Sequence, residues 1–369
     1  MHILLYVHHM LPKAVLFAHF PKYTPRRARD LEQSFGSIDA AWEAPRHLLQ
    51  ELPWKEDVLH AFVRFRAIVS EHDIEQSLKK HAITPLVREE LSYPTNLKTI
   101  YDPPPCLFVR GTIPAHAPML AVVGARKHTR YGKQIAEMLT MAISQRGVSI
   151  VSGLALGIDS IAHRAALHAG GRTIAVLGSG IDEPSIHPRL HRSLANDILK
   201  TGGAIVSEYP PGTPPAQFRF PERNRIIAGL SQATLVIEAA QTSGALITAR
   251  AALEMGRDVC AVPHPITSPT GAGANRLLKD GAFLVTEAAD VLQFFHLPTA
   301  PRYDTNTDHK TAGNGNEACI LALLSHEPLS VDEIIAQTHL PPPAVLQALS
   351  LLEMKKMIQQ NGGVYSIAK

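Results

Sequence analysis

The sequence predicts an α/β fold, in which a doubly wound, mainly parallel sheet follows a small N-terminal helical domain and precedes a C-terminal winged helix. Between residues 119 and about 296, short apolar segments alternate with helical patterns, as in a parallel sheet with helices on both faces. The last block, from residue 317, shows three helical patterns and then a hairpin signal at Asn361 and Gly362. A chain of 369 residues is long enough for two or three domains.

The N-terminal region, residues 1 to about 100, is predicted to be helical, because apolar residues recur at helical spacing in LEQSFGSIDAAW and VLHAFVRFRAIV. Its first twenty residues are strongly apolar, but they include four histidines, Pro12 and Lys13, and they lack the pattern of a signal peptide. We therefore expect packed helices there and no membrane span. The prolines at 103 to 105 cannot continue a helix, so the sheet domain is predicted to cover residues 101 to 297.

Seven segments are predicted to be strands of the parallel sheet, and they read MLAVVG, VSIVSG, RTIAVLG, AIVSE, ATLVIEA, DVCAVP and AFLVT. Residues 298 to 316 lack apolar periodicity and are predicted to be a flexible linker to a winged helix at residues 317 to 369. Charge is distributed unevenly along the chain. Residues 119 to 297 hold 17 Lys and Arg against 13 Asp and Glu, whereas residues 317 to 369 hold 3 against 5. The basic surplus therefore lies in the predicted sheet domain.

Composition excludes several classes of site. The three cysteines, Cys106, Cys260 and Cys319, are isolated and odd in number, which excludes a disulfide framework and a CxxC metal site and suits a reducing cytoplasm. The sequence contains neither GxxxxGK[ST] nor HExxH, so a P-loop ATPase and this type of zinc enzyme are not supported. We expect no metal and no cofactor.

The candidate site lies in the segments that follow the predicted strands, because ligands of open parallel sheets bind beyond the carboxyl ends of the strands. Five of these segments combine glycine, small hydroxyl side chains and arginine, a mixture that suits phosphate. The candidate phosphate-binding residues are Gly124, Arg126 and Lys127 after the first strand, Ser152, Gly153 and Gly157 after the second, Gly178, Ser179, Gly180 and Arg189 after the third, Arg223, Asn224 and Arg225 after the fourth, and Ser243 and Gly244 after the fifth.

Several of these residues have a structural alternative. The run RNR has two interpretations: Arg223 and Arg225 either bind phosphate or anchor their own helix. An acid–base pair formed by Asp159 and His163 is disfavoured, because Asp159 is placed to cap a helix and His163 to contact its helix neighbours.

Taken together, these segments resemble the DNA-processing protein A (DprA/Smf) family. The matching segments run from about residue 92 to residue 292 and include VVGARKHTRYG, SGLALGIDSIAH, GGRTIAVLGSGID, PERNRIIAGLS and EAAQTSGALITARAALEMGRDVCAVP. The resemblance implies an extended Rossmann-like domain, preceded by a small helical domain of the SAM or helix-hairpin-helix kind. It also implies a protein that binds and protects single-stranded DNA, forms a homodimer, and loads the recombinase RecA during natural transformation. Single-strand-binding protein is a further implied partner.

The resemblance also assigns roles to residues. In the family, an arginine of the first loop and a basic residue after the third strand contact DNA, and they match Arg126 and Arg189 here. An aromatic residue usually precedes the proline after the third strand, where this chain has His187, which becomes the candidate for stacking on a base. The family's VPG is VPHP here, with His264 in place of the glycine.

The turn after the first predicted strand favours a polymer of phosphates over a single pyrophosphate. In a dinucleotide-binding turn, further glycines would follow Gly124, but this chain has Arg126, Lys127 and Arg130 there. A turn that follows a strand of nucleic acid gains from charge and reach, whereas a pocket for one pyrophosphate gains from glycine.

Two other functions stay open from the sequence. One is a nucleotide-processing enzyme of the phosphoribohydrolase kind, since EAAQTSGALITAR keeps Glu238, Ser243, Gly244 and Thr248 but lacks that family's paired glycines. The other is an adaptor that no longer binds DNA. The winged helix is predicted to contact protein rather than duplex DNA, because PPPAVLQALSLLEMKKMI has no basic residue before Lys355 and phosphate would be repelled by the acidic domain.

Overall fold

The structure is a computed structural model that describes residues 11–115, 117–295, 297, 315–324, 328–338, 340–355, 357–361 and 363–367. It forms two compact units, residues 1–300 and residues 301–369. The first ten residues and residues 298–314 of the predicted linker lie outside the described residues.

Between residues 11 and 83, six helices precede the sheet, and they are α1 (Lys13–Ala18), α2 (Pro25–Phe35), α3 (Ile38–Glu43), α4 (Arg46–Leu49), α5 (Glu56–Ile68) and α6 (Glu71–Lys80). Side-chain caps set their starts: the Thr24 hydroxyl accepts the Arg27 amide ahead of Pro25, and Ser37 and Ser70 cap α3 and α6 in the same way. Aromatic rings fill the space between these helices, with Phe17, Phe62 and Trp42 at its centre.

Two strands join the sheet at the edge next to these helices, and the sequence had not indicated them as strands. They are β1 (Thr84–Val87) and β2 (Cys106–Gly111), separated by the short helix α7 (Thr95–Lys98). β1 pairs antiparallel with β2, which pairs antiparallel with the strand β6 (Ala204–Ser207). β1 contains Pro85, which an edge strand tolerates because one side of its backbone has no partner strand.

All seven predicted parallel strands are present. They are β3 (Met119–Val123), β4 (Ser149–Ser152), β5 (Thr173–Leu177), β6 (Ala204–Ser207), β7 (Ala233–Val236), β8 (Asp258–Ala261) and β9 (Phe283–Leu284). The nine strands are ordered β1-β2-β6-β5-β4-β3-β7-β8-β9. The chain therefore moves outward from β3 through β4, β5 and β6, and then returns to the other side of β3 with β7. This reversal between β3 and β7 is the topological switch point, where open α/β sheets bind ligands.

Helices cover both faces of the sheet, and they are α8 (Arg130–Ser144), α9 (Ile158–His168), α10 (Arg192–Lys200), α11 (Arg219–Leu230), α12 (Ala245–Glu254), α13 (Ala272–Lys279) and α14 (Ala288–Leu292). Leu120 and Val122 of β3 pack with α8, α9 and α14, whereas Ala121 and Val123 pack with α11, α12 and α13. The alternation of side chains along β3 thus divides the core into two layers. Short 3-10 helices cover Glu183–Ser185, Arg189–His191 and Gln293–Phe295.

The second unit has the predicted winged-helix elements. They are α15 (Gly315–Leu324), β10 (Leu329–Ser330), α16 (Val331–Thr338), α17 (Pro342–Met354), β11 (Ile358–Asn361) and β12 (Val364–Ile367). The strands form an antiparallel sheet in the order β10-β12-β11, in which Asn361 pairs with Val364 across the predicted hairpin. Ile320, Ile334 and Leu349 form its core.

A buried histidine fixes the loop that follows β4. The Leu154 amide donates to Nε2 of His163 at 3.3 Å, so Nδ1 carries the proton and donates to the Thr173 hydroxyl at 2.6 Å. That hydroxyl donates in turn to the Ile150 carbonyl at 2.8 Å. Burial is the main cause that lowers the pKa of His163 to about 3, and it makes His163 a structural group rather than an acid or base at neutral pH.

A buried ionic network joins the N-terminal helices to the sheet. Arg225 of α11 donates to the Glu208 carboxylate at 2.8 Å and approaches that of Asp102 at 3.4 Å. From the N-terminal helical region, Tyr23 donates to the same Glu208 at 2.8 Å and Arg29 reaches Asp102 at 3.2 Å. Burial disfavours the charge on Arg225, but the two carboxylates more than offset this and raise its pKa.

We expect the stability of residues 1–300 to depend on the protonation of His163. The unfolded chain takes up a proton on this imidazole below about pH 6.5, while the folded chain takes it up only near pH 3. As pH decreases from 6.5 towards 3, the free energy of unfolding should therefore fall more steeply for wild type than for His163→Gln. The two slopes should differ by up to about 1.4 kcal/mol per pH unit. Urea unfolding followed by tryptophan fluorescence measures this, since Trp42 and Trp54 both lie in this unit. Equal pH slopes would contradict it.

Replacing Arg225 should destabilise the same unit. Arg225→Met leaves the buried carboxylate of Glu208 without its cation and Asp102 with Arg29 alone, and removing one partner of a comparable buried pair costs about 3–5 kcal/mol. The matched control is Arg26→Met, since Arg26 lies exposed on α2. The same fluorescence-detected unfolding measures both variants. If Arg225→Met loses no more unfolding free energy than the control does, the network contributes little to stability.

Candidate nucleic-acid interface

A cavity of about 680 Å³ opens at the switch point, where the segments after β3, β4, β6 and β7 meet. Seven of the residues that the sequence singled out line it: Gly124, Arg126, Lys127, Arg223, Asn224, Ser243 and Gly244. The predicted position of the site, beyond the carboxyl ends of the strands, is thus where the chain forms a concave surface.

Arg223 lies under this cavity and is almost fully buried. Its guanidinium Nη1 donates to the Gly153 carbonyl at 2.8 Å and also to the Val176 carbonyl, so α11 is tied to the ends of β4 and β5. Burial lowers the pKa of Arg223 to about 10, and Asp159 opposes this shift while Arg126 adds to it. Arg223 therefore stays charged at neutral pH and contributes positive potential from below, in the anchoring role that the sequence left as an alternative.

Asp159 does not cap its helix, contrary to the prediction. The N-cap position of α9 is Gly157, and Asp159 sits inside the first turn, where its carboxylate accepts the Gly153 amide at 3.1 Å. Burial raises the pKa of Asp159, and the nearby charge of Arg223 counteracts the shift. The pair Asp159 and Arg223 thus holds Gly153 from both its amide and its carbonyl.

Other residues predicted to bind phosphate hold the loops together instead. Ser152 is buried, and its hydroxyl donates to the Val122 carbonyl at 2.7 Å. Gly157 has φ of 83°, and a Cβ there would lie 2.2 Å from the Ala125 carbonyl oxygen. At Gly124, a Cβ would lie 2.6 Å from the Ile158 side chain. These positions need small residues because the loops after β3 and β4 touch, and direct phosphate contact by Ser152 or Gly153 requires an internal hydrogen bond to be replaced.

The segment after β5 divides into a buried and an exposed part. Gly178, Ser179 and Gly180 are buried, and a Cβ on Gly178 would lie 3.2 Å from the Phe220 ring. Arg189, by contrast, is exposed at the start of a 3-10 helix. The glycines therefore allow the segment before α11 to pack close to the sheet, while the cation remains on the surface.

An aromatic ring that the sequence analysis missed stands at the rim of the cavity. The Arg126 guanidinium lies over the Phe220 ring at 5.6 Å from its centroid, and the exposed His187 ring lies 5.9 Å away at an interplanar angle of 36°. Phe218 nearby in sequence is 59% exposed. The available signal was the run FRF beside the basic RNR, because aromatic residues interleaved with arginine are typical of surfaces that bind single strands.

The N-terminal end of α12 forms the opposite wall of the cavity. Thr242, Ser243 and Gly244 line it, and Gly244 is the N-cap residue of the helix. Asn224 reaches across from α11, and its side-chain amide donates to the Gly244 carbonyl at 3.3 Å. The amides of Ala245, Leu246 and Ile247 are bonded within this turn, so it is the positive end of the ten-residue helix dipole that favours an anion at this wall.

Glu238, His264 and Arg225 make polar contacts inside the protein. Glu238 is buried and does not line the cavity; its carboxylate accepts the Thr129 amide at 2.9 Å and the Thr129 hydroxyl at 3.2 Å. His264, in the unusual VPHP run, donates from Nε2 to the Ile237 carbonyl at 2.8 Å. Arg225 is likewise absent from the lining of the cavity, because its guanidinium is held in the ionic network with Glu208 and Asp102.

Within the described ranges, no three His, Cys, Asp or Glu side chains are grouped as a metal ion would require. A search of the same ranges finds no helix whose length and apolar character would let it cross a membrane. Cys106 and Cys260 are buried and Cys319 is exposed, each as a free thiol.

Comparison with known proteins agrees with this geometry. The family model described as DNA recombination-mediator protein A matches residues 84–296, and the DprA winged helix domain matches residues 306–363. Protein Smf of Escherichia coli is 43% identical over 279 residues, which is 74% of either chain. DNA processing protein DprA of Bacillus subtilis is 43% identical over 203 residues, 54% of this chain and 67% of that protein.

Solved structures show the same relationship. The X-ray structure of DNA processing protein A from Streptococcus pneumoniae superposes with a TM-score of 0.65 at 32% identity, covering 76% of this chain and 95% of that one. A structure of DNA processing protein A from Helicobacter pylori, described for its single-stranded DNA binding mode, has a TM-score of 0.52 at 28% identity and covers 58% and 95%. With one family model matching more than half of its length and a second matching its winged helix, this chain belongs to the DNA recombination-mediator protein A (DprA/Smf) family.

Proposed function

We propose that this protein binds single-stranded DNA at the cavity between β3 and β7, and that it acts as a mediator of recombination. The observation that carries the proposal is the row formed by Arg126, Phe220 and His187 at the rim, opposite the N-terminal end of α12. A cation beside the partly buried Phe220 ring and the exposed His187 ring suits a strand whose phosphates and bases are both accessible. The description of the Helicobacter pylori relative, which binds single-stranded DNA, supports the same ligand class.

Different residues contribute different parts of the proposed binding energy. Arg126 and Arg189 are exposed and supply charge to phosphates, while Phe220 and His187 supply surfaces for bases. Lys127 adds a further exposed cation to the first loop. Asn224, Ser243 and Gly244 are proposed as polar contacts at the wall formed by α12. The buried Arg223 strengthens the positive potential under all of them.

The proposed role is non-catalytic. The one carboxylate among the residues that line the cavity is that of Asp159, which is buried and holds the Gly153 amide. Glu238 is the glutamate that would serve in a phosphoribohydrolase-like reaction. It is buried and accepts hydrogen bonds from the Thr129 amide and hydroxyl, in the loop after β3. Neither carboxylate is free to move a proton of a bound nucleotide in this arrangement.

We further propose the cellular setting that membership of the family suggests. The protein would receive incoming single strands in the cytoplasm during natural transformation, protect them, and load RecA onto them, with single-strand-binding protein as an additional partner. A homodimer would place two cavities on one strand and raise avidity without any new type of contact.

Removing the two exposed arginines should weaken binding in a salt-dependent way. Each phosphate contact on a single strand contributes about −0.7 to the slope of log K against log salt. We expect Arg126→Ala/Arg189→Ala to make that slope shallower by about 1.4 and to lower affinity for oligo(dT) in low salt. Fluorescence anisotropy of a labelled oligo(dT) at several salt concentrations measures both. Arg26→Ala/Lys80→Ala removes the same charge from exposed positions of the N-terminal helices and is the control.

Three outcomes would contradict this prediction. Binding that survives in the arginine variant but is lost in the control would move the DNA site to the N-terminal helices. Wild-type affinity that does not depend on salt would exclude a phosphate-based interface. Absence of wild-type binding, together with release of base from a nucleoside monophosphate, would favour the enzyme instead.

Removing the ring of Phe220 should weaken binding without changing its salt dependence. Stacking of a base on an aromatic side chain is worth about 1–3 kcal/mol, so Phe220→Leu should lower affinity by about fivefold to 150-fold. The salt slope should stay at the wild-type value, because no phosphate contact is lost. Tyr101→Leu, at an exposed ring beside α2, is the control in the same anisotropy titration. Unchanged affinity in Phe220→Leu would show that this ring does not contact a base.

A further inference from the structure

Two neighbouring grooves cross the outer face of the helices α8, α9 and α10. The first, of about 540 Å³, lies between α8 and α9 and is lined by His128, Lys133 and Glu137 on one side. The second, of about 340 Å³, lies between α9 and α10 and is lined by Asp197 and Lys200 on its far side. Arg164 and His168 of α9 line both grooves, so the two form one track with α9 as the ridge between them.

The track carries an excess of positive charge. Lys133 lies 3.8 Å from the Glu137 carboxylate and Lys200 lies 3.8 Å from that of Asp197, and each of these pairs is largely exposed. Exposed pairs of this kind are weak and give way readily to another anion. Arg164 on the ridge is exposed and makes no ion pair with any residue in the described part of the chain. One full cation therefore remains uncompensated at the centre, with an exchangeable lysine on either side.

The track begins where the cavity ends. Arg126 and Lys127 line the cavity, and the next residue, His128, lines the first groove. The loop after β3 therefore joins the cavity to the first groove, through consecutive residues that line one and then the other. The floor of the track is apolar, with Ile161 in the first groove and Leu194 in the second, which suits sugars and unstacked bases better than a continuous salt-bridged surface does.

We propose that single-stranded DNA continues from the cavity along this track, with phosphates at Lys133, Arg164 and Lys200. The inference rests on the proposed function of the cavity and extends it. Packed helices lie about 8–10 Å apart, so the track from α8 to α10 spans about 16–20 Å. At the spacing of about 3.4 Å per nucleotide of a stacked strand this length holds at most about five nucleotides, and an unstacked strand places fewer there. Continuity with the cavity favours nucleic acid over an acidic protein as the occupant.

The test compares oligonucleotides of two lengths. An oligo(dT) of about five nucleotides fills only the cavity, whereas one of about fifteen also covers the track. In Arg164→Gln/Lys200→Gln, we expect the long oligonucleotide to lose affinity in low salt and its slope of log K against log salt to become shallower by about 1.4. The short oligonucleotide should bind as it does to wild type. The matched control is Lys79→Gln/Lys80→Gln, which removes two exposed lysines from α6.

The remaining outcomes overturn the inference in distinguishable ways. If wild type binds both lengths and the long-strand slope of the track variant equals that of wild type, the strand does not follow the track, and an acidic protein becomes the better occupant. If both lengths lose affinity equally, the two cations act on the cavity rather than on a separate path. If wild type binds neither length, the proposed function of the cavity fails, and this inference fails with it.

Discussion

The candidate interface depends on one buried cation, Arg223. Its guanidinium joins the carbonyls of Gly153 and Val176, near the ends of two adjacent strands, to the helix that carries Phe220 to the rim. A buried charge without partners would be costly, and here two carbonyls and the nearby Asp159 compensate part of that cost. Because its two hydrogen bonds reach two different strands, α11 and the ends of β4 and β5 keep one relative position. The rim residues above them are pre-organised by that constraint.

The same constraint explains why small residues and cations alternate in the loops. Gly124 and Gly157 lie where one loop touches the next, so a side chain there would displace backbone or the side chain of Ile158. Arg126 comes two residues after Gly124 and is exposed, so its long, charged side chain is free to reach an anion in solvent. The glycines thus serve contact between loops, and the arginines face solvent. A turn of the dinucleotide-binding kind would use its glycines on the ligand instead.

Most of the predicted site residues separate into two groups that the sequence could not tell apart, whereas Gly124 and Arg223 belong to both and the exposed Arg189 to neither. Arg126, Lys127, Asn224, Ser243 and Gly244 line the cavity, as expected from loops that follow parallel strands. The second group shares internal hydrogen bonds or close packing and comprises Ser152, Gly153, Gly178, Ser179, Gly180 and Arg225. Both groups have the residue types of a phosphate site. Burial decides between them, and burial depends on which loops meet in space.

The sequence by itself determined the alternation of strands and helices, the edge of the sheet where the cavity opens, and the C-terminal winged helix. These follow from periodicity, turn residues and strand order, which are local properties or simple consequences of parallel pairing. The sequence also predicted a separate helical domain up to residue 100, whereas residues 1–300 form one compact unit and β1 already belongs to the sheet. Only the tertiary structure decided that Phe220 stands between Arg126 and His187, and that His163 is a neutral structural group. It also added β1 and β2, whose pairing joins residues far apart in the chain. Contacts of this kind depend on how distant segments pack, and no local pattern encodes them.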